Sequence, residues 1–244
     1  MADSITITDN RTGSTYEIPI VNGGVSSEEW RKALPGIWFN DPGFMATAAC
    51  DSAITYLDGD AGVLRYRGYP IEQLAESSTY LEVAYLLLHG ELPTAEQYDT
   101  WKHLITIHTY LHENMRKRFV DGFHYDAHPM GMLVSGIAAL STFYEEAKAV
   151  LDREIRYKQI IRLVAKMPTL AALNYRFYTG MPFIYPENSL EFTANFLRMM
   201  FSPKPQEEVP WEDPILAHAL DVLFILHADH EQNCSTTAMR VVGS

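Results

Sequence analysis

The chain has 244 residues, 47% hydrophobic and 20% charged, the balance of a folded globular protein and not of a disordered one. Its formal net charge of −12 argues against a nucleic-acid partner, since phosphate binding needs a clustered excess of Lys and Arg. Apolar runs such as Val222–Leu226 fall far short of the roughly 20 residues a helix needs to cross a bilayer, so no membrane partner is expected.

Any anionic ligand would have to be held locally, by a few histidines, arginines or helix N-termini, against an unfavourable net field. The N-terminal MADSITITDN has neither the basic and apolar regions of a secretory leader nor the Arg-rich amphipathic pattern of a transit peptide, and the expected location is cytoplasmic. Cys50 and Cys234 are too few and too far apart for a disulfide framework or a CxxC metal site, and they read as reduced thiols.

The first elements alternate in period two. SITIT at 4–8 and TYEI at 15–18, around the turn-rich 9–13, predict a small hairpin. A Gly/Pro-punctuated stretch over 22–43 leads to SAITYLDGDAG and VLRYRG over 52–68, where an Asp-Gly pair predicts a second hairpin.

From Pro70 the period becomes helical. Helices are expected over 71–75, over 80–88 with a stop at His89-Gly90, over 95–115, from Pro129 through 149, over 153–165, from Pro168 through 178, over 190–201 and over 214–228. The proline-rich 202–210 reads as a loop. The residues from Ser235 onward look like a helix beginning, so the chain is expected to stop within its helical domain. The expected fold class is mainly α, with a small β-rich N-terminal domain over 1–69 followed by an incomplete all-α domain over 70–244.

The most informative segment is LHADHEQNCST over 226–236. It follows a nearly all-apolar helix that Asp213 caps and Pro214 opens, and that helix is expected to be buried on several sides and to carry the polar run inward. Ser235, Thr236 and Thr237 suit the N-cap of a following helix, which would set His230 and Asn233 beside backbone N–H groups fit for a small carboxylate. Three readings of the histidines stay open. His230 could bind a dicarboxylate and polarise a keto group without metal. His227 and His230 could be a metal pair, although the HExxH pattern of zinc peptidases is absent. Both could also be buried histidines satisfied by backbone carbonyls.

The segment resembles the LHADHEQNxST block of citrate synthases. ITYLDGDAGVLRYRGYPI (54–71), EVAYLLLHGELP (82–93), HPM (128–130), KMPT (166–169) and NFLRMMF (195–201) resemble further blocks of that family, in family order. The resemblance implies an incomplete large domain of the citrate synthase fold and an acyltransferase that condenses acetyl-CoA with oxaloacetate to give citrate and CoA in the tricarboxylic acid cycle. By the same resemblance His230 binds and polarises oxaloacetate, Asn233 belongs to that binding segment, and His227 supports it.

The family's acid/base pair, a histidine in a GPAHGGANE-like segment and a later aspartate, has no counterpart here, so no catalytic residue is expected within the chain. A partial subunit is expected. No cofactor or metal is implied, and acetyl-CoA enters as substrate. The N-terminal β-region resembles the larger bacterial type, which implies a dimer-based hexamer with NADH as allosteric inhibitor. Tyr144, Arg162 and Lys166 match that nucleotide site, but Ile107 stands where it has an arginine, which argues against NADH control. Arg162 and Lys166, four apart on a helix, also suit a plain solvated basic face. Two alternatives are a 2-methylcitrate synthase, whose YAEHEFN wording differs from HADHEQN, and a short non-catalytic homologue that associates with full-length subunits.

Overall fold

The computed structural model describes residues 3–43, 45–202 and 213–243. Its contacts separate two compact units, one drawn from Met1–Ser52 and Cys234–Ser244 and one from Ala53–Asn233.

In the first unit, β1 (Ser4–Asp9) and β2 (Ser14–Val21) form the expected hairpin, with Ile5 opposite Ile18 and Ile7 opposite Tyr16. Arg11 closes its turn on Asp9 at 2.8 Å, and Gly13 supplies the left-handed residue, φ 75°. The short β3 (Gly24–Val25) adds to β2, and α1 (Ser27–Ala33) follows. Among its described residues, Ile18 and Leu34 are buried. The terminal helix, α9 (Cys234–Val242), has no buried residue.

The second unit opens with an antiparallel meander of β4 (Thr55–Asp58), β5 (Val63–Tyr66) and β6 (Tyr69–Pro70). Arg67, at φ 50°, and Gly68, at φ 91°, turn the chain into β6. The Arg67 guanidinium donates to the carbonyl of Leu87 at 2.7 Å and so ties the meander to a helix end. The units therefore group differently from a division at residue 69. Tyr66 of β5 lies in one core cluster with Ile71, Leu74, Val83, Leu86 and Ile225, and hydrophobic burial assigns the meander to the helices.

α2 (Ile71–Ser77) and α3 (Tyr80–His89) follow the expected pattern. Thr79 and Glu82 form a reciprocal capping box at the start of α3, and Gly90, at φ 94°, ends it. α4 (Ala95–Thr106) has its own box from Thr94 and Gln97 and seats Trp101 in the core, its indole N–H on the Leu81 carbonyl at 2.9 Å.

Three helix boundaries differ from expectation. The helix expected over 95–115 stops at Thr106, because side chains meet the carbonyls beyond it. Thr109 donates to Thr106, Lys166 to His108 and Tyr110, and Thr169 to Thr109. The chain resumes as a π-helical turn, Met115–Phe119, and a 3₁₀ turn, Val120–Gly122. α5 (Pro129–Leu140) ends nine residues early, where the hydroxyls of Ser141 and Thr142 take the carbonyls of Ala138 and Ala139, and 3₁₀ turns follow.

The two helices expected on either side of Pro168 are one, α6 (Arg153–Tyr178), capped by Asp152. Pro168 withholds an N–H from the ladder, at a cost of about 3 kcal/mol. The burial of Ala165, Thr169, Leu170, Ala172 and Leu173 around it offsets that cost.

α7 (Phe192–Phe201) packs along α6, and the buried Arg176 of α6 donates to the Met200 carbonyl at 3.1 Å at its C-terminal end. Pro203 to Pro210 of the expected loop lie outside the described residues. α8 (Pro214–Leu226) starts as expected, with Asp213 accepting the Ile215 N–H at 2.8 Å. Its burial does not match expectation. Only Ile225 is buried, while Ile215 is 75% and Leu223 50% exposed, because α2, α3 and α7 cover one side and α8 carries more apolar surface than they occupy. Among the described residues no helix is long and apolar enough to cross a membrane.

Candidate substrate-binding segment

α8 delivers the HADHE segment to the surface, not the interior: His227, His230 and Asn233 are exposed and Asp229 is half-buried. The expectation of a buried polar run fails for the same reason that α8 is open along one side. In its last turn Ile225 is fully buried, while Leu223 and Leu226 stay exposed.

The segment is nevertheless firmly placed. His227 terminates α8, and its Nδ1 donates to the Leu223 carbonyl at 2.7 Å. A carbonyl can only accept, so Nδ1 carries the proton. Asp229 is gripped from the meander: the Thr55 hydroxyl donates to its carboxylate, and the Tyr66 hydroxyl lies 3.0 Å from its carbonyl and 3.4 Å from its N–H. The same hydroxyl lies 3.4 Å from the carbonyl of Leu226. Burial pushes the Tyr66 phenol above its ordinary pKa, which keeps it a donor at neutral pH.

Glu231 then adopts the left-handed conformation, φ 54°, a strained geometry for a residue with a Cβ. Between the gripped Asp229 and this reversal stands His230, whose imidazole takes no hydrogen bond among the described residues. α9 begins at Cys234, so Ser235, Thr236 and Thr237 fall inside the helix and not at its cap. Among the described residues no group of three or more His, Cys, Asp or Glu side chains is arranged to hold a metal ion.

A second constellation forms around α6. The Arg162 guanidinium lies 4.0 Å above the Tyr144 ring and donates to Glu146 at 2.7 Å, and the Lys166 ammonium is 5.8 Å from the same ring. Tyr144, Arg162 and Lys166 border a cavity of about 370 Å³ whose walls include Ile137, Leu140, Ile155 and Leu163. The solvated-face reading does not hold. Arg162 keeps 12% of its side-chain exposure and Lys166 is 4% exposed. Burial, with repulsion from Arg162, pulls the Lys166 pKa down to about 8, and the Arg162 guanidinium lowers that of Glu146. Ile107 is the C-cap of α4, one residue before the carbonyl that Lys166 holds.

Reasoning from sequence named the histidines but missed Thr55, Tyr66 and Asp221, the last of which accepts the Tyr80 N–H at 2.8 Å and ties α8 to the start of α3. The polar density around Asp229 was the only local signal. A groove of about 460 Å³ lined by Tyr80, Met167, Phe192, Phe196, Phe224 and His227 runs beside α8.

A family model described as the C-terminal domain of citrate synthase matches residues 43–244. The chain belongs to the citrate synthase family. A citrate synthase of Dictyostelium discoideum is 48% identical over 99% of the chain, and citrate synthase 1 of Mycobacterium tuberculosis is 55% identical over 84% of it. Among solved structures, the citrate synthase of Pyrobaculum aerophilum superposes with a TM-score of 0.74 at 34% identity, over 84% of this chain and 52% of that one. This family membership agrees with the mainly helical fold carrying small sheets. The chain spans about half the length of the curated relatives it matches, 49% and 47% of them.

Proposed function

We propose that the protein to which these residues belong condenses acetyl-CoA with oxaloacetate, forming citrate and CoA, and that this chain contributes the oxaloacetate side of the site. One observation carries the reading: in a citrate synthase chain, the HADHEQN segment leaves α8 with Asp229 clamped and the His230 imidazole open to a ligand. An imidazole N–H on the keto oxygen of oxaloacetate draws electron density from the carbonyl carbon that the acetyl carbanion equivalent attacks. Asn233 and His227 assist from the same segment. Removing the methyl proton of the thioester requires a base and an enol stabiliser placed together; the family's segments for these have no match in the 244 residues, and we assign them to the rest of the enzyme. We propose no metal or resident cofactor.

We further assign the protein to the larger bacterial type, cytoplasmic and built from dimers into a hexamer. The open face of α8, with Ile215, Leu216 and Leu223 exposed, leaves apolar surface for the rest of the protein or a second copy to cover. NADH at Tyr144, Arg162 and Lys166 is a second reading, favoured by the stacked cation and cavity there and opposed by Ile107.

The test is release of CoA thiol from acetyl-CoA, with and without oxaloacetate. Release that depends on oxaloacetate supports the reading. Faster release from propionyl-CoA would move it to 2-methylcitrate synthesis, and no release in an oligomer that still assembles with an active synthase would favour the non-catalytic homologue.

A further inference from the structure

The residues that hold His230 in place are not its sequence neighbours. They come from the meander at the other end of the second unit. The Tyr66 ring is fully buried among Ile71, Leu74, Val83, Leu86 and Ile225, so its hydroxyl has little freedom to move. That hydroxyl meets both backbone groups of Asp229, its carbonyl at 3.0 Å and its N–H at 3.4 Å. Thr55, on the neighbouring strand, donates to the Asp229 carboxylate. Thr55 and Tyr66 are themselves paired across β4 and β5. One ladder rung therefore grips one residue at three points, and the next residue is His230.

We infer that Thr55 and Tyr66 are positioning residues for the substrate: their grip on Asp229 sets the direction of the His230 imidazole, and oxaloacetate affinity depends on them although neither touches the ligand.

Glu231 shows why a clamp is needed. Its left-handed backbone, φ 54°, is held only while the chain on either side is held. With Asp229 released, the strained turn relaxes and His230 swings from its productive direction. Among the described residues His230 is exposed, so its direction there is set by the backbone on either side of it. Small misplacements of a binding group cost one to two orders of magnitude in the steps that use it.

The inference rests on the oxaloacetate reading for its functional consequence but not for its geometry, and the experiment separates the two. In the intact protein, Tyr66→Phe keeps the ring in the core and deletes the hydroxyl, Thr55→Val deletes the other donor, and Thr55→Ser restores it. Hydrogen exchange in the peptide over 226–233 is measured first. We expect it to accelerate about tenfold or more in Tyr66→Phe and Thr55→Val, with Thr55→Ser at the native rate. Steady-state kinetics follow. We expect the KM for oxaloacetate to rise roughly tenfold in the two deletions, the KM for acetyl-CoA to stay within about twofold, and Thr55→Ser to behave as native.

Unchanged exchange in both deletions overturns the clamp whatever the protein binds. Faster exchange with an unchanged oxaloacetate KM overturns the positioning role. Both KM values rising together also overturns it, since that marks a general loss of structure. A native protein that ignores oxaloacetate sinks the functional reading instead, while the exchange data still decide the clamp.

Discussion

Lys166 makes the stability of this protein depend on pH in a way that a single substitution exposes. Its ammonium is buried, 4% exposed, on the carbonyls of His108 and Tyr110, with Arg162 and the Tyr144 ring facing it and Glu146 beyond. The folded pKa is about 8 against an ordinary 10.5. Between these values the unfolded chain keeps the proton and the folded chain has lost it, so stability rises with pH across that window. Below about 8 both states are charged and the fold bears the full cost of burial; above about 10.5 both are neutral and the cost is gone. The gap between the two values, at about 1.4 kcal/mol per pH unit, is on the order of 3 kcal/mol.

Lys166→Met removes the titrating group and leaves two carbonyls without their donor, a loss that does not depend on pH. Guanidinium unfolding of both proteins from pH 7 to about 10.5 supplies the assay. Tyrosines, other lysines and cysteines titrate in both chains and cancel in the difference. The native protein should gain roughly 3 kcal/mol on the variant over that range. A difference that stays level with pH would refute the buried-ammonium reading, and one that shrinks would invert it.

Asp221 gives the complementary case: burial raises its carboxyl pKa, with Glu82, Glu191 and His218 the titratable groups around it. Its contribution therefore favours the fold at acid pH and is lost as pH rises through the raised value. Asp221→Asn still accepts the Tyr80 N–H and cannot ionise, so it should raise Tm at pH 7 and lose that advantage near about pH 3; a lower Tm at pH 7 would contradict this. Gly90→Ala meets nothing within 4 Å, so its effect isolates the φ of 94° that ends α3. It should lower the urea midpoint by the equivalent of about 1–2 kcal/mol with an unchanged slope.

Local chemistry made much of the chain legible. The stop at Gly90, the start at Asp213 with Pro214, and the alternation of β1 and β2 are all interactions within a few residues, and they appear where the pattern placed them. Helix ends that depend on distant donors were not legible. Nothing near Thr106 announces that Lys166 and Thr169 will take the next carbonyls, and nothing near Pro168 announces the packing that carries α6 through it.

The same division applies to the site. The sequence alone determined the family and the chemical character of HADHEQN, because those reside in residue identities along one stretch. Tertiary structure decided that Tyr66 and Thr55 reach Asp229 across separations of 163 and 174 residues, that Lys166 lies buried, and that α8 keeps one face open. The physical reason is range. Caps and turns are fixed by groups a few bonds apart, whereas the placing of His230 depends on a buried hydroxyl whose position exists only once the core around Ile225 has closed.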